Sequence, residues 1–232
     1  MAIVLATKKL IYCHMPKTGG DFTTRYLRDE HGGKDPPGFN GHVSWNDLPA
    51  RYKDGRTPFG TIRDPWSWYA SWYMHAKAVC LEQGGLASYG NGSKNFADVL
   101  EGALHPLDGR APNNVGLIWS LDIKATRPSF LREKVGLYSW TFNYIFSKQV
   151  RTLIDTPQLY EGLEEFLGTP VDRKKHPPKN TRHQRSKTAV DDVSTLYTDE
   201  LIDAVWKADG QLIRELGYTE PFQPHNSAII NY

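Results

Sequence analysis

Short apolar runs alternate with amphipathic stretches along this chain, and glycine or proline marks most of the boundaries. Leu10-Ile11-Tyr12-Cys13-His14 is a continuous apolar run of buried-strand type. Pro16 to Gly20 breaks it, and Asp21 to Glu30 follows with Phe22, Tyr26 and Leu27 on one side of a predicted helix. Gly32 and Gly33 end that helix. A turn-rich loop occupies 34–41, and His42-Val43-Ser44-Trp45 reads as a short strand. Phe59-Gly60-Thr61-Ile62 is a further strand that runs into Arg63-Asp64-Pro65. Asp64 is a good N-cap and Pro65 a good first helical residue, so a helix is expected from Pro65 to about Gln83.

The second half is read in the same way. Residues 84–116 are rich in Gly, Asn and Pro around one short helix near Phe96–Leu104, the pattern of a flexible insertion. Residues 117–150 are aromatic and helical by pattern. Val150–Ile154 reads as a strand and Pro157–Leu167 as the helix after it. A basic, proline-interrupted loop spans 172–187. A final amphipathic helix, Thr198–Leu216, carries Leu201, Val205, Leu212 and Leu216, with Gly217 as its cap. Strands that alternate with helices imply an α/β fold of three layers around a central, mainly parallel sheet. With 232 residues, the expectation is one domain covering 1–232.

Composition narrows the chemistry. A net charge of +2 gives no bulk attraction to nucleic acid, so any basic site must be local. Two cysteines, Cys13 and Cys80, form neither a disulfide framework nor a zinc pattern, and a reducing, cytoplasmic setting is the simpler expectation. The start of the chain does not read as a signal peptide, and no apolar run approaches the roughly 20 residues that span a bilayer, so no membrane partner is expected. Seven tryptophans and twelve tyrosines either pave an acceptor pocket or fill the core, and core filling is the simpler of the two.

Two segments carry candidate chemistry. In His14-Met15-Pro16-Lys17-Thr18-Gly19-Gly20-Asp21, a glycine pair between strand and helix lets the backbone wrap an anion. The helix start aims free N–H groups at that anion, and Lys17 adds a charge. The G-x-x-x-x-G-K-[ST] spacing of a Walker A loop is missing. In the second segment Arg63 stands at the carboxyl end of a strand, where open α/β sheets bind ligands. Ser71 lies in the second turn of the helix that follows, sharing a face with Ser67. The guanidinium fork suits a phosphate.

Taken together, P-K-T-G-G after one strand and R-D-P-x₅-S-x-Y after a later one resemble the two cofactor signatures of sulfotransferases that use 3′-phosphoadenosine 5′-phosphosulfate (PAPS). Asn180-Thr181-Arg182, Thr198-Asp199-Glu200-Leu201, Asp209 and Leu216-Gly217-Tyr218 are similar to the C-terminal portion of the carbohydrate-type branch. The resemblance implies a P-loop-like fold and PAPS as co-substrate, with no metal. It implies that Lys17, Thr18, Gly19, Gly20, Asp21 and Phe22 surround the 5′-phosphosulfate. It further implies that Arg63 and Ser71 hold the 3′-phosphate. The basic loop has two readings: a solvated charge run, or a flap over the nucleotide with Arg182 or Arg185 near the 3′-phosphate. The family usually has Ser or Thr where Asp21 stands; Thr18, Thr23 and Thr24 are the nearby hydroxyls.

For sulfuryl transfer, Lys17 suits the charge that grows on the leaving phosphate. A base must take the acceptor proton, and His42, in Asn40-Gly41-His42-Val43, is the candidate that the resemblance implies. Glu30 and Asp47 are carboxylate alternatives. The expected acceptor is a small molecule or carbohydrate hydroxyl, against which Trp45, Trp66, Trp68 and Trp72 could stack. Two rival classes stay open: a nucleotide-dependent kinase with a divergent phosphate loop, and a non-catalytic nucleotide-binding module.

Overall fold

The apolar run at the start of the predicted phosphate loop does form a strand, and it lies inside a five-stranded sheet. The computed structural model describes residues 2–38, 43–80, 93–104, 135–177 and 192–232. The strands are β1 (Ala2–Leu5), β2 (Leu10–Cys13), β3 (Thr57–Ile62), β4 (Thr152–Asp155) and β5 (Ile229–Asn231), in that spatial order. The middle three run parallel, whereas β1 and β5 pair antiparallel at the two edges. The seven helices among the described residues are α1 (Gly20–His31), α2 (Ala50–Lys53), α3 (Pro65–Cys80), α4 (Phe96–Leu104), α5 (Leu137–Phe146), α6 (Leu159–Leu167) and α7 (Asp199–Glu215). The architecture is therefore α/β with a mixed sheet.

The chain divides into two compact units. The first comprises Met1–Arg63, Thr141–Lys179 and Pro224–Tyr232, and it contains the whole sheet. Side chains leave a strand alternately to opposite faces, so neighbouring residues join different cores. Tyr12 packs with Ile3, Leu5, Tyr26, Leu27, Phe59, Ile154, Leu159 and Leu163 beneath α1 and α6. Its neighbour Ile11 packs on the other face with Ala2, Val43 and Leu48. Gly60 lies one residue from Phe59, and a Cβ there would meet Phe146 at 2.5 Å; the missing side chain lets the end of α5 lie against the sheet.

The second unit comprises Asp64–Trp140 and Asn180–Gln223, and its described elements are helices. Asp64 caps α3 as expected, its Oδ1 accepting from Ser67 N at 2.9 Å. Trp66, Trp68 and Trp72 are buried within this unit. The Trp66 indole donates to Ile202 O at 3.3 Å, and Trp68 stacks on Trp72 and meets Tyr138 edge-on. Those three rings fill the core, which is the simpler of the two sequence expectations. Asp209, buried in α7, accepts from the Tyr69 hydroxyl at 2.8 Å and from Ser139 N at 3.0 Å, and Tyr138 N donates to the Tyr69 oxygen at 3.0 Å. Two orphan donors in the first turn of α5 are thus satisfied from α7 and α3 rather than by a local cap. A side chain on Gly136 would collide with that carboxylate.

Several sequence expectations need correction. Val43 and Ser44 are not strand; they follow an irregular path, and Trp45 N donates to Ile145 O at 2.9 Å. The β4–α6 connection opens with a 3₁₀ turn, Thr156–Gln158, with Pro157 in its first turn, and α6 begins at Leu159. The edge strands β1 and β5 were not expected, so the sheet is less parallel than the sequence suggests. His42, Arg182, most of 84–116, and 178–187 of the basic loop lie outside the described residues. No helix among the described residues is long and apolar enough to cross a membrane.

Candidate functional site

The carboxyl ends of β2 and β3 put the two sequence segments side by side. These strands are hydrogen-bonded neighbours with Cys13 opposite Gly60, so the backbone of Pro16 and that of Arg63 each lie three residues beyond a paired position. Adjacent strands are about 4.8 Å apart. The Pro16–Gly20 loop and Arg63 therefore leave the sheet along one edge, the place of ligand-binding loops in parallel sheets.

The loop itself is tightly determined. Met15, Pro16, Lys17 and Thr18 form a turn with proline second and a positive φ third, the arrangement a type II turn needs. That third residue is Lys17, with φ 67°, an unusual conformation for a residue bearing a side chain. Gly19, φ 76°, ends the loop in the left-handed region and caps α1. A Cβ there would lie 2.8 Å from Leu159 Cδ2, so the tight fit as well as the backbone requires glycine. Gly20 has an ordinary backbone, but the His14 imidazole fills the space where its side chain would go. Gly19, at the N-cap, has no side chain to bond the N–H groups that open α1. Those groups and the helix dipole favour an anion there.

Threonine hydroxyls near the loop have separate tasks. Thr18 is fully buried, and its Oγ1 donates to Met15 O at 2.8 Å and lies 2.8 Å from Thr61 Oγ1. Thr23 donates to Gly19 O at 3.2 Å. Thr24 Oγ1 is buried with no hydrogen-bond partner among the described residues. Asp21 lies in the first turn of α1 and is exposed. A carboxylate at that place complements the helix dipole while its charge stays in solvent. Phe22 is half-buried, stacked along α1 on Tyr26 and edge-on to Tyr160 at 5.0 Å.

Lys17 and Arg63 are half-buried in the first unit, and Ser71 is half-buried on α3 in the second. His75, one turn after Ser71, is also half-buried. Glu30, a carboxylate alternative for the base, belongs to α1. It sits in the last turn of α1, ten residues and about 15 Å of helix from Gly20. Its Oε1 binds the buried His176 Nε2 at 2.7 Å and Lys175 Nζ at 2.6 Å, and these bonds, Lys175 first, hold its carboxyl below the usual range. Asp47 accepts from the Tyr144 hydroxyl at 3.1 Å.

Burial pushes the Cys13 thiol up to about 12, so it carries no thiolate near neutrality and cannot serve as a nucleophile there. Burial likewise raises the Tyr12 hydroxyl, which is protonated at any working pH. Sequence reasoning did not single out Tyr12, Thr61 or Leu159, which shape the loop from outside it. One signal was available: Thr61 is a polar residue inside a buried strand, two positions before Arg63.

The loop that carries Lys17 and the residue Arg63 thus follow the carboxyl ends of two adjacent parallel strands. No family model, curated protein or solved structure matches the chain.

Proposed function

We propose that this protein is a PAPS-dependent sulfotransferase acting on a hydroxyl acceptor, a carbohydrate in the first instance. The observation that carries the reading is the pairing of a glycine-capped, lysine-bearing strand–loop–helix with Arg63 at the end of the adjacent parallel strand. The eight-residue separation of Arg63 from Ser71 adds to it. The P-loop-like, three-layer description of the fold and a cytoplasmic setting belong to the same proposal.

In this reading the loop N–H groups and Lys17 receive the 5′-phosphosulfate, and Arg63 receives the 3′-phosphate. Arg182 adds positive charge that favours capture of the nucleotide. His42 takes the acceptor proton. The acceptor oxygen bonds to sulfur as the bond from sulfur to the bridging phosphate oxygen breaks. The products are a sulfate ester, 3′-phosphoadenosine 5′-phosphate (PAP) and the proton held by the base. Negative charge gathers on the departing phosphate, where Lys17 and the start of α1 stabilise it.

Thermal unfolding tests the reading. PAP at saturation should raise the melting temperature, and ATP with Mg²⁺ should raise it less. No shift with PAP would sink the proposal, and a larger shift with ATP–Mg²⁺ would favour a kinase.

A further inference from the structure

Three hydroxyls lie in a row behind the phosphate loop. The Tyr12 hydroxyl is 2.8 Å from Thr61 Oγ1, which is 2.8 Å from Thr18 Oγ1, which is 2.8 Å from Met15 O. All three side chains are fully buried. Each hydroxyl has one proton, and a carbonyl oxygen can only accept. The Thr18 proton must go to Met15 O, so Thr61 donates to Thr18 and Tyr12 donates to Thr61. The row has one direction, from the floor of the sheet to the carbonyl that opens the loop.

Its ends matter. Met15 O and Thr18 close the turn that holds Lys17 at φ 67°. A residue kept in a sparsely populated conformation needs neighbours that over-determine it. Thr61 stands on β3, two residues before Arg63. The middle hydroxyl therefore ties the loop carrying Lys17 to the strand carrying Arg63.

We infer that Thr61 is a positioning residue: through Thr18 it fixes the phosphate loop in its anion-binding conformation and in register with Arg63. The consequence for nucleotide binding rests on the sulfotransferase reading; the consequence for the loop does not. It also gives the Thr18 hydroxyl an inward task.

The test compares wild type, Thr61→Val, which keeps the shape and loses the hydroxyl, and Thr61→Ser, which keeps the hydroxyl. Hydrogen exchange is followed at the amides of Lys17 to Gly20 and at those of β2 and β3, and PAP affinity is measured in parallel. In Thr61→Val the loop amides should exchange about tenfold faster, the equivalent of one lost buried hydrogen bond, with strand amides unchanged and Thr61→Ser close to wild type. PAP should bind Thr61→Val more weakly by a similar factor. Loop exchange equal to wild type in Thr61→Val overturns the inference, as does an equal rise in loop and strand amides, which would mark a general loss of stability. If Thr61→Val fails to fold, Thr18→Val is read by the same criteria. Faster loop exchange with no PAP binding by wild type upholds the positioning role and removes the sulfotransferase reading.

Discussion

The His14 imidazole occupies the space that a side chain on Gly20 would need. His14 closes the strand side of the loop, Gly20 opens α1, and the ring is buried and stacked on Tyr12. The glycine pair therefore has two different causes: the positive φ of Gly19 and the ring against Gly20. Gly20→Ala should destabilise the protein by about 1–3 kcal/mol, the usual range for overpacking, because a buried ring must move. The double variant Gly20→Ala with His14→Ala should be less destabilised than the sum of the two single changes. Chemical denaturation of the four proteins measures this; strict additivity would show that the two positions do not compete for space.

Lys17 combines a strained backbone with a charge, and two substitutions separate them. Lys17→Gly and Lys17→Ala both remove the ammonium group, but only glycine accepts φ 67° freely. Lys17→Gly should be the more stable of the two by about 1 kcal/mol, the approximate cost of the left-handed conformation for an L-residue. Both should lower sulfuryl transfer by on the order of 10²–10³, the usual effect of losing a donor to a developing charge. Unfolding curves and initial rates check the two halves independently. Full activity in either variant would remove Lys17 from the proposed chemistry.

The buried Asp209 should leave a signature in the pH dependence of stability. Burial holds its carboxyl above the usual range despite the bonds from Ser139 and Tyr69. A carboxyl raised in the folded state contributes its full stability below its unfolded pKa, about 3.9. That contribution declines as pH rises towards the folded value. Asp209→Asn has no such titration and leaves one of two donors without an acceptor, costing about 1–3 kcal/mol. Wild type should therefore exceed Asp209→Asn by a wider margin at mildly acidic pH than at neutral pH. Urea unfolding at both pH values checks the sign; a margin that narrows on acidification would contradict it.

The sheet's middle strands were legible because Leu10–Cys13 and Phe59–Ile62 are continuous apolar runs beside loop signals. The first turn of α3 was legible from Asp64-Pro65, and the stop of α1 from Gly32, whose φ is 62°. The edge strands were not. Ile229–Asn231 is too short to show alternation, and its strand state comes from pairing with β4, a contact remote in sequence. The loop's glycines and lysine were legible as a motif, but their causes were not. His14 against Gly20, Leu159 against Gly19 and Thr61 behind Thr18 are tertiary contacts that local pattern cannot carry.

On the proposed function, this site takes a nucleotide with phosphate at both ends, and calorimetric titration measures that preference. Wild type and Arg63→Ala are each titrated with PAP and with adenosine 5′-phosphate, which lacks the 3′-phosphate. Wild type should bind PAP more tightly by about tenfold or more, the scale of one charge-assisted guanidinium–phosphate contact, and Arg63→Ala should lose that preference. Equal affinity of wild type for the two nucleotides, or no heat with PAP, would contradict the account.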